Sequence, residues 1–518
     1  MGAFDTANTL TYPGRPPADI RLIYDRLIVA SADERASYYG MLAEGIRVGE
    51  DFRRISFALH PDARWHDGRP VRAADVAFTF ETLKEKGAPF YRQAFGPLRI
   101  VIEDENVVVI ANDRAGDRDV IRRISTIPIH PEHVWSELGD DAVPAETIGS
   151  GPYRVVALDA PRRLVLERVE GYWAQQLPVN MGRWNADRLV FDYFRDASVA
   201  LEAFRADEYD VRSEDNPTFW QSGYSGPDLE TGAIQRAEFQ SQGVGDLHGI
   251  VFNLRRSVLA DRRVRLAMAL AYDFESANQT LFAGAYQPFT SVFGQTALAA
   301  RGSASDAEAV LITQSGAEFV AEALDTPDPM ARFPASGSRE ALAAATDLIA
   351  QAGLQYRQGR LIDPETDRPL ALQVVSPNPL YERALGWIEN SWDRLGISLV
   401  RRQTDRAAAS RQLLDRDFDL ATLSWSPAQL PGTAERLLWH SDLAEAPGSY
   451  ALSGLKSVAL DRTIEALETA RSEDGLLTAG RAFDRVFRHS MALLPLWRSS
   501  TIRLAWWNRF GRPPSEIA

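Results

Sequence analysis

The most concrete chemistry in this sequence lies in the tetrapeptide Ser424-Trp425-Ser426-Pro427, which places an aromatic ring between two hydroxyl groups. It directly follows a predicted strand over residues 418–423. In α/β sheets, ligands bind beyond the carboxyl ends of the strands. A Trp flanked by hydroxyl groups at that position can stack on a ligand while the exposed backbone donates and accepts hydrogen bonds. Trp425 can equally cap the hydrophobic core, and the sequence leaves both interpretations open.

Two further groups combine ring, amide or guanidinium chemistry at predicted loops, Trp497-Arg498-Ser499 and Asp215-Asn216-Pro217. Catalytic signatures give no comparable case, because the sequence has neither a GxSxG elbow nor a phosphate-binding loop. The spacing of the glycines over residues 243–249 is one residue too long for a dinucleotide fingerprint, so we interpret this segment as a glycine-rich linker.

The pair His130 and His133 has the residue types of a metal site, but a proline between the two histidines makes a shared helical face unfavourable. We therefore interpret this segment as a structural loop. The sequence predicts no metal, no cofactor and no catalysis.

Composition narrows the class of protein. A chain of 518 residues is too long for one core, so we expect two or three lobes. The net charge of −14 disfavours nucleic acid as a partner, and the absence of Cys excludes disulfides and thiol chemistry. There is no apolar run of membrane-spanning length, and the first residues lack the pattern of a signal peptide.

Apolar periodicity predicts the elements that must hold these groups. The first half has strands over 52–59 and 106–111, a helix after Pro70, a hairpin over 153–169 and a helix over 197–206. In the second half, helices alternate with strands. The helices begin after Asp261 and after Ser338 and lie over 380–395, 405–415 and 476–490. The strands lie over 249–254, 370–375, 397–401, 418–423 and 493–504. Strands that alternate with helices indicate parallel pairing in an α/β lobe. Residues 301–338 carry little periodicity and are predicted to be a surface excursion.

Several sequence runs resemble the family 5 solute-binding proteins, the peptide and nickel binders of ABC importers. They are residues 65–76 (WHDGRPVRAADV), residues 149–153 (GSGPY), and Asn253 followed by residues 261–265 (DRRVR). Within that family the chain is most similar to the YejA-type subgroup, which is associated with oligopeptides and peptide-like antibiotics such as microcin C. The runs that carry this similarity are 172–173, 177–180, 182–185, 193–196, 199–204 and 506–510.

The resemblance implies an α/β, two-lobed, periplasmic-binding-protein-like II fold of class C, with an extra subdomain inserted in lobe I. Lobe I is expected to combine residues 1–26, 147–250 and 484–518, the inserted subdomain residues 27–146, and lobe II residues 251–483. The implied protein is a periplasmic, monomeric binding subunit that captures peptides or peptide-like compounds between its lobes. It would deliver them to the permease and ATPase subunits of an importer.

The resemblance also implies which residues contact the ligand. General oligopeptide binders place an Asp three residues after the cleft Trp to bind the free ammonium group of the peptide, but here that position is Ala428. We therefore expect Arg15 or Arg498 to set the charge preference instead. The residues expected to bind the ligand are Tyr12, Gly14, Arg15, Asn216, Ser424, Trp425, Ser426, Trp497 and Arg498.

Three alternatives stay open at this point. The solute could be an opine-like or sugar-linked compound rather than a peptide. The protein could be a hydrolase whose carboxylates act in the same cleft. It could also be a cytoplasmic relative that no longer serves a transporter, since the sequence shows no export signal.

Overall fold

The computed structural model describes residues 4–511, apart from residues 12–14, 32–33, 35–36, 137–146, 242, 314–318, 402–405 and 429. The chain divides into two compact units, residues 1–209 and residues 210–518. Within the described ranges, no helix combines the length and the apolar character that crossing a bilayer requires.

The N-terminal unit is built on antiparallel sheets. Its strands are β1 (Ile28–Ala30), β2 (Tyr38–Gly40), β3 (Ala43–Val48), β4 (Arg54–Leu59), β5 (Leu98–Asp104), β6 (Val107–Asn112), β7 (Tyr153–Asp159), β8 (Arg163–Arg168) and β9 (Arg188–Asp192). They form the pair β1-β2, a four-stranded sheet in the order β3-β4-β6-β5, and a three-stranded sheet β7-β8-β9. Strands β7 and β8 are antiparallel neighbours, which confirms the predicted hairpin over 153–169.

The helices of this unit include a long one that packs on strands β5 and β6 with its apolar face. They are α1 (Ala73–Lys86), α2 (Pro89–Phe95), α3 (Val120–Ser125), α4 (Glu132–Trp135) and α5 (Ala197–Arg205), with short 3-10 helices over Ala18–Ile23 and Pro178–Asn180. Helix α1 is the one predicted after Pro70. Its apolar residues recur every three or four positions, so Val76, Phe80 and Leu83 are all buried on one face.

The residue types in the run 65–76 follow from how α1 is anchored. The carboxylate of Asp75 accepts hydrogen bonds from the backbone N–H of Arg72 (2.8 Å) and of Glu132 (2.9 Å) and from the indole N–H of Trp65 (3.3 Å). Burial raises the pKa of this carboxyl, while the three donors act in the opposite direction. Asp75 therefore fastens the first turn of α1 to the start of α4.

A close backbone approach explains the run 149–153. A Cβ atom at Gly149 would lie 1.8 Å from the carbonyl oxygen of Ile23, so only glycine fits. Gly151 donates its backbone N–H to the same oxygen at 2.8 Å. Ser150 accepts the backbone N–H of Asp25 at 3.1 Å. The run thus joins two distant segments of the N-terminal unit.

The C-terminal unit contains a mixed sheet. Its strands are β10 (Val211–Ser213), β11 (Ile234–Gln240), β12 (Asp246–Phe252), β13 (Tyr356–Arg357), β14 (Arg360–Asp363), β15 (Arg368–Pro369), β16 (Ala371–Val375), β17 (Ser398–Arg401), β18 (Leu420–Trp425), β19 (Leu493–Ser499) and β20 (Thr501–Trp507). The main sheet has the order β17-β16-β18-β12-β19, and two smaller sheets have the orders β10-β20-β11 and β13-β14-β15. Strand β16 is parallel to both β17 and β18, as predicted, whereas β12 is antiparallel to β18 and β19.

Helices cover both faces of the main sheet, as the α/β alternation predicts. They are α6 (Pro217–Ser222), α7 (Pro227–Glu230), α8 (Ser257–Ala260), α9 (Arg262–Ala271), α10 (Phe274–Phe282), α11 (Asp306–Thr313), α12 (Val320–Asp325), α13 (Arg339–Gln351), α14 (Glu382–Asp393), α15 (Arg406–Leu414), α16 (Thr433–Trp439), α17 (Val458–Thr469) and α18 (Glu473–Ser490), with 3-10 helices over Pro379–Tyr381 and Ser441–Leu443. Both predicted N-caps are confirmed. Asp261 accepts the N–H of Arg263 at 2.8 Å, and Ser338 accepts that of Ala341 at 3.0 Å.

The interpretation of residues 301–338 as a surface excursion is wrong. The segment contains α11 and α12, and the carboxylate of Glu308 forms a buried ion pair with Arg485 of α18 at 2.7 Å. The same guanidinium donates to the carbonyl oxygens of Arg301, Gly302 and Ala323. Because an inward-facing charge breaks the apolar pattern, periodicity could not reveal these helices.

Two other local predictions are wrong. Residues 493–504 form parts of two strands rather than one, and Trp497 and Arg498 lie inside β19 rather than in a loop. Residues 246–249 belong to β12 and are not a linker. A Cβ atom at Gly249 would lie 2.8 Å from the carbonyl oxygen of Leu494, so this glycine reflects close strand packing.

The predicted lobe assignment stays a prediction. Its boundary between residues 250 and 251 lies inside β12, and the two compact units divide after Tyr209.

Candidate ligand-binding site

Three exposed polar side chains meet where β18 ends beside the start of β12. The antiparallel register pairs Ser424 with His248 and Trp425 with Leu247. Just beyond these pairs, the hydroxyl of Ser426 donates a hydrogen bond to the carboxylate of Asp246. Ser424, Ser426 and Asp246 are exposed. We call this group the strand-end site. It presents two hydroxyl oxygens and one carboxylate to solvent.

Trp425 points to the other face of the sheet, because successive side chains of a strand alternate. Its side chain packs against Trp439 and Phe487, with ring centroids 5.6 and 5.7 Å away, and the residue is only 5% exposed. Its buried indole N–H has no hydrogen-bond partner among the described residues. The structure therefore places Trp425 in the core, and ligand stacking by its ring stays a prediction.

An aromatic cluster lies beside Ser424 on its own face of the sheet. Trp497 is fully buried and stacks on His248 and Tyr286, at centroid distances of 5.2 and 5.0 Å. Nδ1 of His248 lies 2.9 Å from the hydroxyl oxygen of Tyr381, which donates to the carbonyl of Leu423 at 2.9 Å. Burial lowers the pKa of His248 to about 4, so this ring is neutral at physiological pH.

Arg498 uses its guanidinium within the protein. Nη1 donates to the carbonyl oxygens of Val244 (2.7 Å) and Gly245 (3.0 Å), and Nη2 donates to those of Ser291 (2.6 Å) and Val292 (2.7 Å). The residue is 4% exposed, and burial lowers its pKa to about 10. These four bonds join the start of β12 to the loop before α11. The expectation that Arg498 sets the charge preference of the ligand stays a prediction.

The structure describes two of the four remaining expected ligand residues. Asn216 caps α6, where its Oδ1 accepts the backbone N–H groups of Thr218 and Phe219 at 2.9 and 3.4 Å. Arg15 belongs to the N-terminal unit, and its backbone N–H donates to Asp5 at 2.6 Å. Tyr12 and Gly14 lie outside the described residues.

Sequence reasoning missed Asp246 and His248. The signal was present, because polar and apolar residues alternate over Asp246-Leu247-His248, which is the pattern of a half-buried strand. The glycines on either side favoured the linker interpretation instead.

The two histidines of the His130 segment have separate surroundings. Nε2 of His130 lies 2.6 Å from the Thr9 hydroxyl and Nδ1 lies 3.0 Å from the carbonyl of Pro128, while Nε2 of His133 lies 2.9 Å from the Asp67 carboxylate. The described part of the chain has no group of three or more His, Asp or Glu side chains placed to hold a metal ion.

Sequence comparison identifies the class of the protein. Residues 37–442 match the bacterial extracellular solute-binding proteins, family 5. The chain belongs to this family. The resemblance that the motifs predicted is therefore confirmed, and the role of the family is to bind a solute.

Two relatives extend the match to nearly the whole chain. The chain is 32% identical over 516 residues to the uncharacterized protein YejA of Escherichia coli, which covers 99% of this chain and 85% of that protein. It is 28% identical over 524 residues to the probable peptide-binding protein YejA of Agrobacterium fabrum, with the same two coverages. The similarity to the YejA-type subgroup is thus confirmed.

A solved structure shows the same fold. The oligopeptide-binding protein AppA of Bacillus subtilis, solved with a nonapeptide, matches with a TM-score of 0.74 at 15% identity, over 100% of this chain and 94% of that one. This likeness confirms the predicted two-lobed fold of family 5 binding proteins.

Proposed function

We propose that this chain is the periplasmic binding subunit of an ABC importer for peptides or peptide-like solutes. The observation that carries the proposal is the exposed group of Ser424, Ser426 and Asp246 at the strand ends of the C-terminal unit. Hydroxyl and carboxylate groups suit the N–H and C=O groups of a peptide backbone, which every peptide presents whatever its side chains. Support for this ligand class comes from the Agrobacterium fabrum relative, whose name is probable peptide-binding protein.

Family membership supports the rest of this proposal. A binding subunit releases its solute unchanged to the permease and ATPase subunits, so we propose that the chain acts without catalysis. We also propose that it acts as a monomer. The family is described as extracellular, which fits a periplasmic location. The exposed Ser424, Ser426 and Asp246 would then contribute hydrogen bonds to the ligand, while the buried aromatic cluster around Trp497 supports the strands that carry them.

Native mass spectrometry of the purified protein tests the ligand class. Peptide masses that are released on mild denaturation would support the proposal and show the preferred length. A single non-peptide mass would replace the peptide by a specialised solute, such as an opine-like or sugar-linked compound.

A protein that carries no ligand would be titrated calorimetrically with a panel of di- to nonapeptides, and the mixtures analysed for cleavage products. Saturable binding with the peptides intact is the expected result. Cleavage of the peptides would favour a hydrolase, and absence of binding across the panel would contradict the proposed ligand class.

A further inference from the structure

A cavity lies within the C-terminal unit, at the outer edge of the main sheet. Its volume is about 640 Å³, which is in the range of small-molecule sites. The end of α9, the start of α10, the end of α18 and the first half of the edge strand β19 surround it, together with the loop over residues 328–338.

This edge cavity is separate from the strand-end site. Strand β19 contributes residues 493–496 to the cavity wall, and none of the expected ligand residues is among the described residues that line it. Strand β12 lies between β19 and β18 in the sheet. A molecule in the edge cavity would therefore be a different ligand from one held by Ser424 and Ser426.

The wall of the edge cavity is apolar and adaptable. Met330 and Met491 both line it, although the whole chain has only six methionines. Methionine side chains adjust their shape to varied ligands because they are unbranched and polarisable. Tyr272, Phe274 and Phe487 add aromatic rings to the same wall. Aromatic faces attract cations through their quadrupole.

The charges of the wall are unbalanced. Three acidic residues, Asp273, Glu275 and Asp328, are among the described residues that line the edge cavity, together with one basic residue, Arg488. Arg488 is taken up by Asp328, 3.5 Å away. Asp273 caps α10 by accepting the N–H of Ser276 at 3.0 Å. The exposed Glu275 has no cationic partner among the described residues. The wall therefore favours a positively charged ligand.

Tyr272 lines the edge cavity and is 4% exposed. Burial, with a smaller contribution from Asp273, raises the pKa of its hydroxyl, so it remains a donor.

We propose that the edge cavity binds an organic cation, a molecule with an aromatic or aliphatic body and an ammonium group. The body would lie against Met330, Met491 and Phe487, and the ammonium would lie near Glu275 and the ring of Phe274. Carboxylates and aromatic faces together recognise such cations better than either does alone. This site goes beyond the proposed peptide-binding function, and its test uses no peptide.

Calorimetric titration with benzyltrimethylammonium tests the proposal, with benzyl alcohol as the neutral ligand of similar shape. The cation is expected to bind with one-to-one stoichiometry and at least roughly tenfold more tightly than the alcohol. Met330→Trp fills the edge cavity and should weaken binding of the cation by roughly tenfold or more. Glu275→Gln removes one charge at an exposed position and should weaken it by roughly threefold.

The matched control is Asp474→Asn, which removes an exposed carboxylate at the opposite end of α18 and should leave the affinity unchanged. A thermal melt establishes whether each variant is folded. If Met330→Trp is unfolded, the affinity of Glu275→Gln for the cation tests the proposal. Absence of saturable binding would overturn the proposal. So would equal affinity for the alcohol, or an effect of Asp474→Asn that matches that of Glu275→Gln.

Discussion

Two regions of the main sheet carry the same kinds of residue and use them in opposite ways. At the end of β18, Ser424 and Ser426 are exposed next to Asp246 and retain capacity for hydrogen bonds with a ligand. On β19, two strands away, the guanidinium of Arg498 is enclosed by four carbonyl oxygens. A polar side chain near a strand end is therefore available to a ligand only where its hydrogen-bonding groups are not already bound to other parts of the protein. The predictions below test whether this division between support and binding is correct.

The largest effect is expected from Trp425→Ala. Removal of a buried Trp side chain from its contacts with Trp439 and Phe487 should lower the free energy of unfolding by about 3–5 kcal/mol. Urea unfolding measures the loss. Trp425→Phe is the control, since it keeps an aromatic ring and removes an indole N–H that has no partner, so it should cost less than about 1.5 kcal/mol. A stable Trp425→Ala variant that has lost ligand would place this ring at the ligand instead.

Arg498→Gln should be the next most destabilising change. It removes most of four charge-assisted hydrogen bonds and leaves buried carbonyl oxygens unpaired, so the free energy of unfolding should fall by about 3 kcal/mol. Arg498→Lys should recover only part of this, because an ammonium group cannot reach all four oxygens. If Arg498→Gln is as stable as the parent chain and the ranking of ligands changes, Arg498 contacts the ligand and the comparison above is wrong.

A pH effect should identify His248 as a supporting residue. Burial lowers its pKa from 6.5 in the unfolded chain to about 4 in the folded protein. Between these two values the unfolded state binds the proton and the folded state does not. The contribution of His248 to stability is therefore full above pH 6.5 and is lost progressively as the pH falls toward 4.

The parent chain should accordingly lose more stability than His248→Gln between pH 7 and pH 4. The expected difference is on the order of 3 kcal/mol, and unfolding in urea at a series of pH values measures it. Parallel stability curves for the two proteins would show that His248 does not titrate in this way.

The smallest effect on stability is expected from Asp246→Asn. The residue is exposed, so the free energy of unfolding should change by less than about 0.5 kcal/mol. The affinity for a peptide that binds the parent chain in the titration panel should fall by roughly tenfold, because the variant loses a charged acceptor at the strand-end site. Thr469→Ala, at an exposed position on α17, is the control and should change neither quantity. Unchanged ligand affinity in Asp246→Asn would remove this carboxylate from the binding site.

The fold could be predicted where one periodicity dominates. Helix α1, the hairpin β7-β8 and the parallel strands β16, β17 and β18 all have a clear apolar period, and all were predicted close to their observed bounds. Helices α11 and α12 were missed because Glu308 points inward to Arg485, which is distant in the sequence. An ion pair between distant residues leaves no periodic signal.

The position of the strand-end residues could be predicted in part. The sequence placed Ser424, Trp425 and Ser426 at the carboxyl end of a strand, and they lie at or just beyond the end of β18. Their role in binding stays a prediction. The contribution of Asp246 depends on the register between β12 and β18, which pairs Leu247 with Trp425. Register across antiparallel strands is set by packing and could not be derived from either segment alone.

By itself, the sequence determined the class of the protein. The runs 65–76, 149–153 and 261–265 identified its family because they consist of caps, close contacts and anchors that depend on particular residue types. Only the tertiary structure decided which polar residues are free to act. Arg498 and Ser426 are both polar residues in the sequence, but burial and the positions of backbone carbonyls commit Arg498 to the scaffold and leave Ser426 and Asp246 facing solvent. That distinction arises from residues far apart in the chain, so it exists only once the chain has folded.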